Sequence, residues 1–138
     1  MGVKISGTYK GQKRVELLHD DSGAKIITDA PKDNNGEGQS FSPTDLCAAS
    51  LGSCILTTMA IKAEKSGMAD LTGSYFKVEK IMVSEPRRIG TIRVELHLPS
   101  SLDARQREVL ERVGNACPIH KSLHEDVQEE ISYLYDVS

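Results

Sequence analysis

The chain contains no tryptophan, and aromatic residues make up only 4% of its 138 positions. Little is left from which to build the stacking platforms that hold single-stranded nucleic acid. Positive charge is short as well. Lys and Arg number 17 against 20 Asp and Glu, giving a net charge of −3, so there is no basic footprint for a phosphate backbone. The opening residues MGVKISGTYK lack the apolar centre of a secretory signal, which predicts a cytoplasmic protein. Met1-Gly2 with Ser6 fits the myristoylation pattern only loosely, and that pattern is common by chance. The longest uncharged run, Leu46 to Ile61, falls short of the roughly 20 residues needed to span a bilayer. It also contains Ser50, Gly52, Ser53, Thr57 and Thr58, and reads as a buried helix. No Gly-rich loop follows a strand and no Gly-x-Ser-x-Gly elbow is present, which removes kinase, dinucleotide and serine-hydrolase chemistry. Cysteines number three. An odd, small count argues against a static disulfide framework and for reactive or buried thiols.

The remaining composition, 27% charged and 38% apolar, is that of an ordinary folded domain, and nothing divides residues 1–138 into two. Val3 to Tyr9 and Lys13 to His19 read as strands about a Gly11-Gln12 turn. Asp20 to Gly23 forms a second turn before a strand over Lys25 to Thr28. Ala30 to Ser40 (APKDNNGEGQS) is a loop of a length that is often functional. Ser42 suits a helix N-cap, Pro43 the first helical position, and Asp45 the third, where a carboxylate reaches back. This helix runs to Ser66, with Gly67 as its stop. Leu71 to Ser84 and Ile89 to Leu98 read as strands about a turn at Glu85 to Arg88. Asp103 to Val113 is a second helix, Cys117 to Leu123 a short third, and Val127 to Tyr135 a closing strand. The order gives an α+β fold with an antiparallel sheet. Most of the long helix is apolar or small on every face. One sheet covers one face only, so a C₂ homodimer is expected to cover the other.

Six positions carry chemical interest. Cys54 lies mid-helix, where a cysteine is by default apolar filler, and Cys47 reads the same way. Cys117 precedes Pro118 and so sits at a helix N-cap, beside free N–H groups that favour a thiolate. A capping or core cysteine without redox duty is the alternative. Arg14 is a permanent charge that could favour a thiolate at Cys54, or it is a solvated strand cation. His120 and His124 are spaced i, i+4 and with Cys117 sketch a metal site, but no fourth ligand is evident.

With these residues in view, the chain resembles the OsmC/Ohr family of osmotically induced and organic-hydroperoxide-resistance proteins. Ser42-Pro43-Thr44-Asp45-Leu46-Cys47-Ala48-Ala49-Ser50-Leu51-Gly52-Ser53-Cys54 is similar to the family's first cysteine helix, and Ala116-Cys117-Pro118 to its second cysteine motif. The resemblance covers essentially the whole chain. It implies an intertwined homodimer, with antiparallel sheets wrapped around long central cysteine-bearing helices. It also implies a thiol peroxidase in oxidative-stress defence. Cys54 would attack an organic hydroperoxide and become a sulfenic acid. Cys117 would resolve it as a disulfide, and a dithiol, in the family often lipoyl-linked, would restore both thiols. Neither metal nor organic cofactor is implied, nor any nucleic-acid or membrane partner. Arg14 matches the activating arginine. The family's paired glutamate, ten residues before the helix cysteine, is here Thr44, so Asp45 or Glu16 would have to take its place. That departure keeps an alternative in play, an OsmC-like stress or small-ligand-binding protein with little peroxidase activity.

Overall fold

Gly11, Gln12 and Lys13 all adopt positive φ, at 86°, 56° and 65°, and this sets the first hairpin. A two-residue turn with both central residues at positive φ matches the twist of the strands it joins. In this computed structural model, which describes residues 2–138, the turn falls on Gln12-Lys13, one residue later than its sequence suggests. β1 (Ile5–Gly11) therefore pairs with a β2 that opens at Arg14 (Arg14–His19), and β3 (Lys25–Asp29) completes an antiparallel meander. The register sets Arg14 opposite Asp29, at the meander's end.

The loop that follows is more ordered than its composition implied. It holds a single 3₁₀ turn at Lys32–Asn34, and Gly36 and Gly38 donate back to Pro31 and Ala30 at 3.0 and 3.1 Å. A Cβ on Gly36 would lie 1.8 Å from the Ala30 carbonyl oxygen, so only glycine permits this fold-back. The loop, the meander and the start of the following helix form a first compact unit, Met1–Cys47; the rest of the chain forms a second, Ala48–Ser138.

α1 (Pro43–Lys65) begins in the first unit and continues through the second. By length and composition it would serve as a membrane span, although the uncharged run within it alone would not. In the second unit it is a core helix, burying the stripe Ala48, Leu51, Ile55, Met59 and Ala63. Those positions recur at the three-to-four spacing of one helical face, while Ser53, Thr57 and Ile61 stay exposed. β4 (Tyr75–Val83), β5 (Arg88–Pro99) and β6 (Gln128–Val137) form the second sheet, with β5 central. Ile92, Val94, Leu96 and Leu98 alternate along β5 and are fully buried. α2 (Ala104–Gly114) and α3 (Pro118–Ser122) connect β5 to β6.

The α+β class is as read from the sequence, with one correction. β6 pairs parallel to β5, with Val94 opposite Ile131, so the second sheet is mixed rather than wholly antiparallel. Parallel neighbours require a long crossover connection, and α2 with α3 supplies it.

Candidate functional site

The second unit brings two thiols together. Cys54 is half-buried on α1, with its Sγ 4.0 Å from the Thr58 hydroxyl one turn on. Cys117 is fully buried and is the N-cap of α3, its Sγ accepting the His120 N–H at 3.4 Å. Pro118 is the next residue, where its missing N–H costs nothing. Gly114, the last residue of α2, makes the approach possible. A Cβ there would lie 3.0 Å from Ile55 Cγ2, 3.0 Å from the Tyr133 hydroxyl and 3.2 Å from Met59 Sδ. The backbone between α2 and α3 therefore lies against the α1 turn that carries Cys54. Three residues later Cys117 comes near enough to Cys54 for that side chain to act on its pKa.

Burial pushes the Cys117 thiol up from its ordinary value. The His120 N–H opposes that shift, the neighbouring Cys54 side chain adds to it, and the Ile119 N–H again opposes it. Capping alone would have lowered it; desolvation is the larger effect. Cys117 is thus a buried thiol that keeps its proton.

Tyr133 and Tyr135, which sequence reading did not single out, lie on β6, Tyr133 beside Cys117 and Tyr135 beside Tyr133. The Tyr133 hydroxyl donates to Asn115 Oδ1 at 2.7 Å. Its pKa is raised first by burial, then by the charges of Glu111 and Cys117. Tyr135 donates to Glu111 Oε2, and the Arg107 guanidinium lies 4.3 Å over its ring. Strand alternation placed both tyrosines on one face of β6; only the fold puts Tyr133 next to a cysteine.

In the first unit, Arg14 is one-quarter exposed and is held by residues that its sequence neighbours do not include. Its Nη2 donates to Glu37 Oε2 at 3.2 Å and to Gln39 Oε1, and its Nε lies 3.7 Å from Asp29 Oδ2. The carboxylates against it are Asp29 and Glu37 rather than Glu16. Asp45 closes a capping box: its N–H donates to Ser42 Oγ at 3.0 Å and its carboxylate accepts the Ser42 N–H at 2.9 Å. The Thr44 hydroxyl lies 3.2 Å from that of Ser42. The one available signal for Glu37 was its place in a long polar loop.

The histidines do not converge with Cys117. His120 Nδ1 meets Glu129 at 2.8 Å, and His124 Nδ1 accepts the Asp126 N–H at 3.0 Å. Among the described residues no cluster of His, Cys, Asp and Glu is arranged to hold a metal ion.

The profile of the OsmC-like protein family matches residues 36–132, most of the chain and both cysteine motifs. The chain belongs to this OsmC-like family. The fold agrees. A candidate osmotic-stress-induced and detoxification-response protein of Psychrobacter arcticus 273-4 is 36% identical, with a TM-score of 0.90 over 96% of this chain and 97% of that one. The organic hydroperoxide resistance protein OsmC of Legionella pneumophila superposes with a TM-score of 0.76 at 17% identity, covering 97% of each chain. The organic hydroperoxide resistance protein OhrB of Bacillus subtilis gives 0.70 at 16% identity, over 96% of this OsmC-like chain and 98% of its own. At such identities the latter two speak for the fold alone. No curated protein matches the sequence.

Proposed function

We propose that this OsmC-like protein is a two-cysteine peroxidase for organic hydroperoxides. The observation that carries the reading is that two free thiols, Cys54 and Cys117, are neighbours, near enough for Cys54 to raise the pKa of Cys117. The Cys54 thiolate attacks the terminal peroxide oxygen. The O–O bond breaks, the alkoxide leaves and takes a proton to become the alcohol, and the sulfur is left as a sulfenic acid. The Cys117 sulfur then attacks that sulfur, its proton leaves with the hydroxyl as water, and a disulfide forms. An external dithiol returns both thiols by exchange and is itself oxidised.

The environments suit this division of labour. Cys117 is buried and protonated at rest, so it does not compete for peroxide. It needs only to reach a sulfur that is already its neighbour. Arg14 is assigned the activating guanidinium on the strength of the family motif, while Asp45, the other carboxylate considered for its partner, caps the start of α1. A homodimer, with a cytoplasmic location, completes the proposal.

The experiment is intact mass and peptide mapping of pre-reduced protein after one equivalent of cumene hydroperoxide. Loss of two hydrogens mapped to Cys54–Cys117 is the expected result. Three unmodified thiols would sink the peroxidase reading. The favoured alternative would then be a ligand-binding role, which Thr44 in place of a carboxylate supports.

A further inference from the structure

We infer that Asp29 and Glu37, linked by Gln39, are the positioning residues for Arg14, in place of the carboxylate missing at Thr44. The inference rests on the peroxidase reading, in which the Arg14 guanidinium donates hydrogen bonds to the peroxide as the O–O bond breaks. A guanidinium serves that step only if it is already aimed, because reorientation during reaction forfeits the benefit.

The four side chains are tied together in the first unit. Arg14 opens β2 and Asp29 ends β3, directly opposite. Asp29 is 1% exposed. A carboxylate so buried requires a compensating cation, and Arg14 Nε at 3.7 Å is the one beside it. The same oxygen of Asp29 accepts the Gln39 N–H at 3.0 Å, which fastens the loop to the strand. Gln39 then works in two directions: its Oε1 accepts from Arg14 Nη2, and its Nε2 donates to Glu37 Oε2 at 3.0 Å. Glu37 accepts from Arg14 Nη2 at 3.2 Å as well. The guanidinium is therefore held along its Nε and Nη2 edge by one strand carboxylate and one loop carboxylate.

The second Asp29 oxygen, Oδ1, is buried without a hydrogen-bond partner among the described residues. Leaving a buried acceptor unmet is costly, and native proteins rarely keep one without a functional reason. Holding a charge against Arg14 is such a reason. The turn chemistry agrees with it: the positive φ angles at Gln12 and Lys13 are what start β2 at Arg14 and bring it level with Asp29.

The test is steady-state kinetics with cumene hydroperoxide and dithiothreitol on wild type, Arg14→Ala, Asp29→Asn, Glu37→Gln and the Arg14→Ala/Asp29→Asn double variant. Asn and Gln keep an acceptor oxygen and remove only the charge. The kcat/KM for the hydroperoxide is expected to fall about tenfold in Asp29→Asn. It should fall severalfold in Glu37→Gln, whose exposed pair is the weaker one. The kcat/KM for the dithiol should not change, and the double variant should be no slower than Arg14→Ala. Glu37 lies on the surface, so Glu37→Gln carries the test even if Asp29→Asn fails to fold. A slow Arg14→Ala beside wild-type rates in both carboxamide variants overturns the positioning role alone. So does a joint fall of both constants, the mark of a structural defect. No turnover in wild type, or a full rate in Arg14→Ala, overturns the peroxidase reading and this inference with it.

Discussion

At the scale of single residues, the two cysteines differ in what surrounds them, and their variants should differ accordingly. Cys54→Ser removes the attacking sulfur and should abolish hydroperoxide turnover. Cys117→Ser should still consume one equivalent of hydroperoxide but stop at the sulfenic acid, read as one added oxygen and no disulfide in the intact mass. Identical behaviour of the two variants would count against separate roles. The site also has an alkaline signature. Cys117, Tyr133 and Tyr135 all hold their protons above the ordinary values of 9.0, 10.0 and 10.0, chiefly because they are buried. Below pH 9 all three are protonated in folded and unfolded chains alike. As pH rises past those values, the unfolded chain releases protons that the folded chain keeps. Stability then falls, by at most about 1.4 kcal/mol per pH unit for each group. Thermal melts from pH 8 to 11 should show Tm dropping, and Tyr133→Phe should make the drop shallower. An equal slope in both proteins would mean that Tyr133 is not the group involved.

At the scale of elements, the thiols meet because α1 lies close to two neighbours. Gly52 faces the Phe76 ring of β4, where a Cβ would come within 2.5 Å of ring carbons. Gly114 gives the α2–α3 junction its close approach to Ile55 and Met59. Overfilling such contacts typically costs about 1–3 kcal/mol, so Gly114→Val should lower Tm. It should also slow disulfide formation after peroxide more than it slows sulfenic acid formation, which rapid-quench mass measurements can separate. α2 itself starts with a full capping box between Asp103 and Gln106, and Asp103→Ala should cost about 1 kcal/mol without changing turnover. The sequence made much of this legible. Ser42, Pro43 and Asp45 marked the start of α1, and Cys117-Pro118 marked that of α3. Alternation over Ile92, Val94, Leu96 and Leu98 marked the central strand. It could not reveal that β6 returns parallel, because a two-residue period has no direction. Nor could it reveal Asp29, Glu37 and Gln39 around Arg14. Those contacts link residues 15 to 25 positions apart through a loop without periodicity.

At the scale of the whole molecule, the open question is what covers the apolar surface that one chain leaves bare. In the first unit Val3, Ile5 and Tyr9 are each more than 60% exposed, and Phe41 is 56% exposed. In the second, Ile61 on α1 and Tyr75 on β4 are nearly half exposed, while α1 buries one stripe of a helix that is apolar on several faces. Scattered apolar residues need no explanation, but Ile5 and Tyr9 share one face of β1 and Ile61 stands exposed on α1, and apolar surface left bare in this way marks an interaction surface. A second copy of the chain has the matching surface by symmetry, and a C₂ contact is self-complementary. Light scattering at micromolar concentration should therefore give twice the 15.1 kDa of the chain. Ile61→Glu places a charge on the bare face of α1 without touching either cysteine, and should shift the protein towards monomer and lower its Tm. Because folding and association are linked, the wild-type Tm should rise with protein concentration and that of Ile61→Glu should not. A single-chain mass for wild type, with a Tm independent of concentration, would leave the dimer without support and the bare α1 face without an occupant.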